Sequence, residues 1–339
     1  MSPINRLFFC CCLILATKGF GQSIALYEQH NGRFDYTAIG NTLNIVENGA
    51  LLDCSILSGS TAELNLSSGQ IVEAAYLYWA GSGTGDFEVN LNSTPIMPER
   101  TFSYALDSNR VFFAAFTDVT DLVQNFGNGL YSLSDLEQID ISEDYCSTGT
   151  NFAGWAIVII YQDDSFPLNQ INVYDGLEAV PEAITIELSN LNVMDVVGAK
   201  IGFIAWEGDS SLAVNESLRM NGFLLSNPPL NPETNAFNGT NSFTWGTDLY
   251  NMDIDFYSIE NNISPGDTSA VIDLTSGQDF VMINTIITVL NSQLPDATIS
   301  IDTVQGGDAC GDRDLEITYT VYNLNCTDAL PLGTPIAFY

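Results

Sequence analysis

Short runs of apolar, aromatic and β-branched residues, broken by Gly, Asn and Pro, set the pattern of this chain. Gln70–Ala80 (QIVEAAYLYWA) has the composition of a strand and is stopped by Gly81-Ser82-Gly83. Phe87–Leu91 alternates, and Arg110–Phe116 (RVFFAAF) is a further strand. Trp155–Tyr161 (WAIVIIY) is apolar on both faces, which predicts a central position in a sheet. Asn172–Tyr174, Ile184–Leu188, Ile201–Trp206 and Val271–Leu274 are shorter candidates, and Phe280–Leu290 (FVMINTIITVL) is the strongest late strand. Val119–Gln124 reads as one short helical turn, and no long segment keeps a 3.6-residue period. The expected fold is therefore all-β, a β-sandwich or jelly-roll-like head, with one closed barrel as the alternative.

The expected body runs over residues 22–302 as two packed lobes, 22–180 and 181–302, with Pro228-Pro229 and Pro232 marking an excursion in the second. Near Thr303 the pattern changes. VQGGDAC reads as a linker, and LEITYTVYNL then alternates from Leu315. Two strands are not a stable domain in water. Residues 303–339 are thus expected to open an immunoglobulin-like repeat of a longer protein, against the plainer reading of a C-terminal hairpin packed on the body.

The first residues change the setting. Arg6 precedes ten apolar residues, Leu7–Ala16, followed by Gly19-Phe20-Gly21, the layout of a secretory signal peptide over residues 1–21 with cleavage after Gly21. The run is too short to cross a bilayer, which needs roughly 20 residues. With Arg6 and Lys18 in the leader, six basic residues face forty-two acidic ones in the mature chain, a net charge near −36. Such a surface repels nucleic acid and anionic lipid and suits a partner that brings cations. Disorder does not follow, because apolar residues make up 46% and aromatic residues 11% of the chain.

Cys10, Cys11 and Cys12 leave with the leader, so the mature chain keeps Cys54, Cys146, Cys310 and Cys326. In an exported protein these form disulfides, and four cysteines allow three pairings. Cys54–Cys146 with Cys310–Cys326 keeps each bridge within one domain. No zinc-type spacing occurs, and His30 is the only histidine, which argues against His-based metal or catalytic sites.

Candidate chemistry rests on carboxylates. Glu207 and Asp209 in WEGDSS, Asp253 and Asp255 in NMDIDF, and Asp163 and Asp164 in YQDD are acidic pairs able to serve calcium, a hard cation that takes six to eight oxygen ligands. In an extended segment Asp253 and Asp255 share one face. Glu207, Asp209, Asp253 and Asp255 are the candidate metal ligands. Each pair also has a plainer reading as solvated loop. Tyr76 and Tyr78 share one face of their strand and Leu77 and Trp79 the other, which fits packing between sheets better than a sugar-binding platform. Trp155, Trp206 and Trp245 are expected in the core. Arg110 and Arg219 are expected to pair with carboxylates rather than to act in catalysis.

Several phrases in this order resemble one family. They are VEAAYLYWAGSG (Val72–Gly83), FTDVTDLV (Phe116–Val123), GWAIVIIYQD (Gly154–Asp163), NVYDGL (Asn172–Leu177), AWEGD (Ala205–Asp209) and TVLNSQLPDATISID (Thr288–Asp302). Together they resemble the N-terminal region of large surface adhesins of gliding Bacteroidetes, which are exported by the type IX secretion system. The resemblance implies a non-catalytic head, secreted and attached to the outer cell surface. It also implies a role in adhesion to a surface or extracellular polysaccharide and in gliding motility. Implied partners are outer-membrane secretion or motility proteins, without nucleic acid and without direct membrane insertion. It carries no catalytic residues. The competing expectation is a secreted carbohydrate-active enzyme, glycoside hydrolase-like, that uses paired carboxylates about 5–10 Å apart.

Overall fold

The computed structural model describes residues 22–49, 53–180, 183–212, 215–292, 297–306, 315–323, 330 and 332–337. The expected leader and the expected Cys310–Cys326 bridge lie outside the described residues. In chain order the first strands are β1 (Ala25–Gly32), β2 (Phe34–Thr42), β3 (Gly59–Leu64), β4 (Ile71–Ser82), β5 (Val89–Leu91), β6 (Thr94–Ile96), β7 (Arg100–Ala105) and β8 (Val111–Asp118). Helix α1 (Thr120–Phe126), β9 (Gly129–Ser134), helix α2 (Glu143–Thr148), β10 (Ala153–Gln162) and β11 (Asn169–Ala179) follow. Then come β12 (Ile184–Ser189), β13 (Asp195–Trp206), β14 (Ser217–Met220), β15 (Phe223–Leu224), β16 (Met252–Ser258), β17 (Ser269–Thr275) and β18 (Met282–Asn291). The last pair is β19 (Ala297–Gly306) and β20 (Leu315–Asn323).

The protein is all-β and sandwich-like. Among the described residues the strands form open antiparallel sheets, and none closes into a barrel. Two five-stranded sheets, β1-β11-β18-β13-β16 and β2-β10-β4-β8-β7, face each other. Their facing side chains, among them Tyr76, Tyr78, Val158, Val173 and Ile287, make one apolar core. A four-stranded sheet, β3-β9-β5-β6, covers the outer face of the second, where Leu77, Trp79, Trp155 and Tyr131 pack. Another, β12-β17-β14-β15, covers the outer face of the first over Ile201, Phe203 and Ile286. Because both central sheets are covered on both faces, their strands read as continuous apolar runs rather than clean alternations. β10 lies between β2 and β4, the central position its sequence predicts.

The first central sheet takes strands from both sides of residue 180, since β1 and β11 pair beside β18, β13 and β16. β19 pairs with β20 as a separate two-stranded sheet that runs across the expected boundary at residue 303. Two ion pairs tie the central sheets together. Arg100 on β7 holds Asp175 on β11, and Lys200 on β13 reaches Asp35 on β2 at 2.6 Å. Cys54 and Cys146 form a disulfide across 92 positions.

Tyr76, Leu77, Tyr78 and Trp79 are all buried, so neither face of β4 offers a platform. Trp245 departs from expectation. It is 61% exposed at a positive φ of 59°, because it sits in a tight turn of the long excursion before β16 rather than on a strand. Arg110 pairs with Asp107, whereas Arg219 donates to the Gly222 carbonyl. No helix among the described residues is long and apolar enough to cross a membrane.

Candidate functional site

β13 runs between β16 and β18, and where it ends the other two begin. Trp206 pairs with Met252 on one side and Met282 on the other. The chain leaves β13 through Glu207-Gly208-Asp209, so that turn falls against the approaches to β16 and β18. Glu207 holds a φ of 75°, a region that non-glycine residues seldom occupy and that is found enriched at functional sites. Its backbone N–H donates to the Asn251 carbonyl at 2.7 Å, which locks the turn to the start of β16.

Carboxylates converge here. Oxygens of Glu207, Asp209 and Asp279 all lie within 4.8 Å of one another, and all three residues are buried. Asn48 Nδ2 donates to Glu207 at 2.5 Å, Asn251 Nδ2 to Asp209 at 2.8 Å, and the Asp209 backbone N–H to Asp279 at 3.2 Å. Glu216, Asp253 and Asp255 are buried as well, and Glu216 interacts with both Asp279 and Asp253. Asp253 Oδ1 accepts the backbone N–H groups of Asn238, Gly239 and Thr240, each at 2.9 Å. Asp255 accepts from Asn231, Thr240 and Ser242 at 2.8, 2.7 and 2.6 Å. Among the described residues no Lys or Arg forms an ion pair with any of these six acids.

Burying uncompensated carboxylates costs several kcal/mol for each ion, so the groups hold their protons unless a cation replaces them. Burial, then the charges of Asp209 and Asp279, push Glu207 well above the carboxylate range. Burial, Asp279 and Glu47 push Asp209 up to about 8, and burial pushes Asp279 up to about 7. Burial and Asp279 raise Glu216, and burial and Asp255 raise Asp253. The cluster can coordinate a divalent metal ion, since all its donors are hard oxygens.

Asp209 is the least buried of the first three, at 5% exposure. Glu47 latches the loop beyond it. The Glu47 carboxylate accepts the backbone N–H groups of Ser210 and Ser211, both at 3.2 Å, and both their hydroxyls.

The structure brings the two candidate pairs of the sequence into one region, on the turn after β13 and on β16. Reading the sequence missed Asp279 and Glu216. Each is a single acid between unrelated segments, and only the position of Asp279 directly before the strong apolar run of β18 marks it. Asp163 and Asp164 stay apart in a solvated turn where Asp163 accepts from Ser165. His30 lies elsewhere, on an open groove of about 770 Å³ lined also by Glu28, Glu73, Tyr76, Glu99 and Asp118.

No family model matches the chain. No curated protein matches it. Two solved structures show a remote likeness, a variant of BuGH86 in complex with neoagarooctaose and wild-type BuGH86 in complex with neoagarooctaose. Each is 10% identical, with 79% of this chain and 34% of that chain covered at a TM-score of 0.24. The chain thus spans about a third of those proteins, and a likeness at that score carries neither fold nor activity across.

The gathered carboxylates correct the expectation of a non-catalytic adhesive head. They also correct the description that went with it, of an adhesion and gliding-motility protein of the type IX secretion pathway that is not an enzyme. That reading had no catalytic residue to place and took acidic pairs as a consequence of composition. The fold instead converges Glu207, Asp209 and Asp279 from segments up to 72 positions apart into one buried cluster.

Proposed function

We propose that the protein is a secreted carbohydrate-active enzyme of the glycoside-hydrolase type that acts on an extracellular polysaccharide. The observation that carries this reading is the convergence of Glu207, Asp209 and Asp279 within 4.8 Å in a buried site. Glycoside hydrolysis needs one carboxyl to protonate the leaving oxygen and a second to attack or to activate water. Asp209, nearest to solvent, serves as the acid, and Glu207 is its partner, which attacks only after giving up the proton that burial and its acidic neighbours hold on it. Asp279 positions Asp209 by accepting its backbone N–H. Their closeness matches the retaining class, whose carboxyls stand about 5–5.5 Å apart, rather than the wider inverting class. A sugar chain reaches Asp209 once the Glu47 latch opens. The cation that suits the acidic region is calcium, which accepts irregular sets of oxygen ligands.

Release of reducing ends from a panel of neutral and acidic polysaccharides tests this reading. The wild-type protein is expected to cleave at least one of them, and Asp209→Asn to lose about 10³-fold or more, since acid–base catalysis supplies on the order of 10²–10⁴. An equally active Asp209→Asn protein would overturn the assignment.

A further inference from the structure

Among the described residues nine buried side-chain polar atoms lack a hydrogen-bond partner, and six of them belong to this one region. They are the side-chain oxygens Asn48 Oδ1, Glu216 Oε2, Asn231 Oδ1, Asn235 Oδ1, Asp253 Oδ2 and Asp279 Oδ1. All are acceptors. Buried acceptors are ordinarily satisfied, and a concentration of unsatisfied ones in a single place calls for a missing positive charge or donor.

The three acids follow one pattern. Each fixes one oxygen with donors and leaves the other bare. Asp253 Oδ1 takes three backbone N–H groups while Oδ2 takes none. Glu216 Oε1 takes the Phe237 N–H at 2.6 Å while Oε2 takes none. Asp279 Oδ2 takes the Asp209 N–H at 3.2 Å while Oδ1 takes none. Asn235 repeats the pattern as an amide, with Nδ2 donating to the Asp209 carbonyl at 3.1 Å and Oδ1 left bare. Donors on one side orient each group and leave the free oxygen for a cation, as outer hydrogen bonds do for metal ligands.

The free oxygens share a neighbourhood. The Glu216 and Asp279 carboxyls come within hydrogen-bond reach of each other, so they share a proton that a bound cation displaces, and the charge of Glu216 acts on Asp253. Asp253 Oδ2, fully buried, points at the turn that carries Glu207 and Asp209. A Cβ added to Gly208 would stand 2.7 Å from that oxygen and 2.6 Å from the Phe237 carbonyl. Only glycine fits there, because the backbone must come this close to the carboxylate.

We infer that Glu216, Asp253 and Asp279, with the amide oxygen of Asn235, are protein ligands of one calcium ion held inside the fold. The set is all oxygen, with neither His nor Cys, which selects a hard cation over zinc or copper. Its ligands stand 19, 18 and 26 positions apart along the chain, on the approach to β14, in the excursion, on β16 and before β18, an irregular arrangement better suited to calcium than to octahedral magnesium. The ion would clasp these segments together behind the Glu207–Asp209 pair. The inference rests on calcium as the ion of the acidic region. It is read by metal content and melting rather than turnover, so failure of the hydrolase reading leaves it intact.

The test uses the full chain purified in calcium, desalted, and measured by elemental analysis, with melting curves at constant ionic strength. We expect one calcium per chain, a melting temperature lowered by chelator and restored by calcium, and a smaller restoration by the same concentration of magnesium. Glu216→Gln is expected to lose the retained calcium and the calcium-dependent shift. If that variant does not fold, titration of chelated wild-type protein with terbium, with calcium as competitor, decides the matter. Saturation at one equivalent supports the site. Wild-type protein without retained calcium and with identical melting in calcium and chelator, or a folded Glu216→Gln protein that still holds one equivalent, would overturn it. Magnesium equal to calcium would overturn the choice of ion.

Discussion

The Asp209 backbone N–H donates to Oδ2 of Asp279, 70 positions further along the chain, at 3.2 Å. This bond joins the turn leaving β13 to the segment entering β18, and it sets the side chain of Asp209 beside Glu207. Asp279 is thereby a positioning residue. Asp279→Asn is expected to lower kcat by about 10-fold or more with little change in KM, as misplacing a catalytic group does. Initial-rate kinetics on the cleaved polysaccharide check this, and a change confined to KM would point to substrate binding instead.

Glu47 holds the loop beyond Asp209, and under the proposed hydrolase reading that hold bars the site. Removing its carboxylate in Glu47→Ala releases Ser210 and Ser211. We expect kcat/KM on a polymer to rise several-fold, with a loss of stability of about 1 kcal/mol from exposed, charge-assisted hydrogen bonds. A fall in kcat/KM would show that the latch shapes the site rather than closing it.

Arg100 lies 4.1 Å from the Tyr27 ring centre and 4.0 Å from that of Phe116, and it grips both oxygens of Asp175. Burial still holds Asp175 above its usual range despite Arg100. Arg100→Ala would strand a buried carboxylate. The expected loss is about 2–3 kcal/mol, below the roughly 3–5 for wholly buried pairs, because Arg100 is itself 34% exposed. Arg100→Lys is not expected to rescue it, since lysine lacks the planar fork. Urea denaturation of the three proteins checks both statements.

Much of this framework was legible in the sequence, and the reason is physical. β4, β10 and β18 are covered on both faces, so their runs are apolar throughout and stand out without any partner being known. β1 and β3 carry mixed, partly exposed patterns, because they lie at sheet edges, and they were not visible. Glu207, Asp209, Asp253 and Asp255 could be named as pairs because they are neighbours in sequence. Asp279 and Glu216 could not, because their relation to those pairs exists only after β13, β16 and β18 have aligned. Two acids on one face, Asp253 and Asp255, in the largely apolar strand MDIDFYS were the available sign that carboxylates are buried here.

Gly202 faces Tyr36 across the central core. A Cβ there would stand 1.8 Å from the Tyr36 hydroxyl oxygen, which is itself buried without a partner. Gly202→Ala is expected to cost about 1–3 kcal/mol by overpacking. Tyr36→Phe is expected to be neutral or stabilising, because it removes an unsatisfied polar atom. A double-mutant cycle should show a smaller cost of Gly202→Ala in the Tyr36→Phe background.

His30 offers a single-residue probe of the open groove. Tyr76 donates its hydroxyl proton to Glu28 at 2.8 Å, so His30 Nε2 donates to the Tyr76 oxygen at 2.9 Å. Burial lowers the His30 pKa below 6.5, against the opposing charges of Glu28, Glu73 and Asp118. The fold therefore favours neutral imidazole. Its contribution to stability is full above pH 6.5 and is lost as pH falls through 6.5 towards the folded value. With one histidine in the chain, an NMR titration reads this directly. Glu28→Gln should lower the pKa further, and an increase would contradict the arrangement.

The most direct measurement is the anomeric proton spectrum of a polysaccharide during incubation with the wild-type protein and, in parallel, with Asp209→Asn. The closeness of the Glu207 and Asp209 carboxyls predicts new resonances that first appear with the configuration of the cleaved bond and mutarotate later, and none with the variant. No new resonance with any polysaccharide in the panel, or equal signals from the two proteins, would contradict a catalytic role for this cluster.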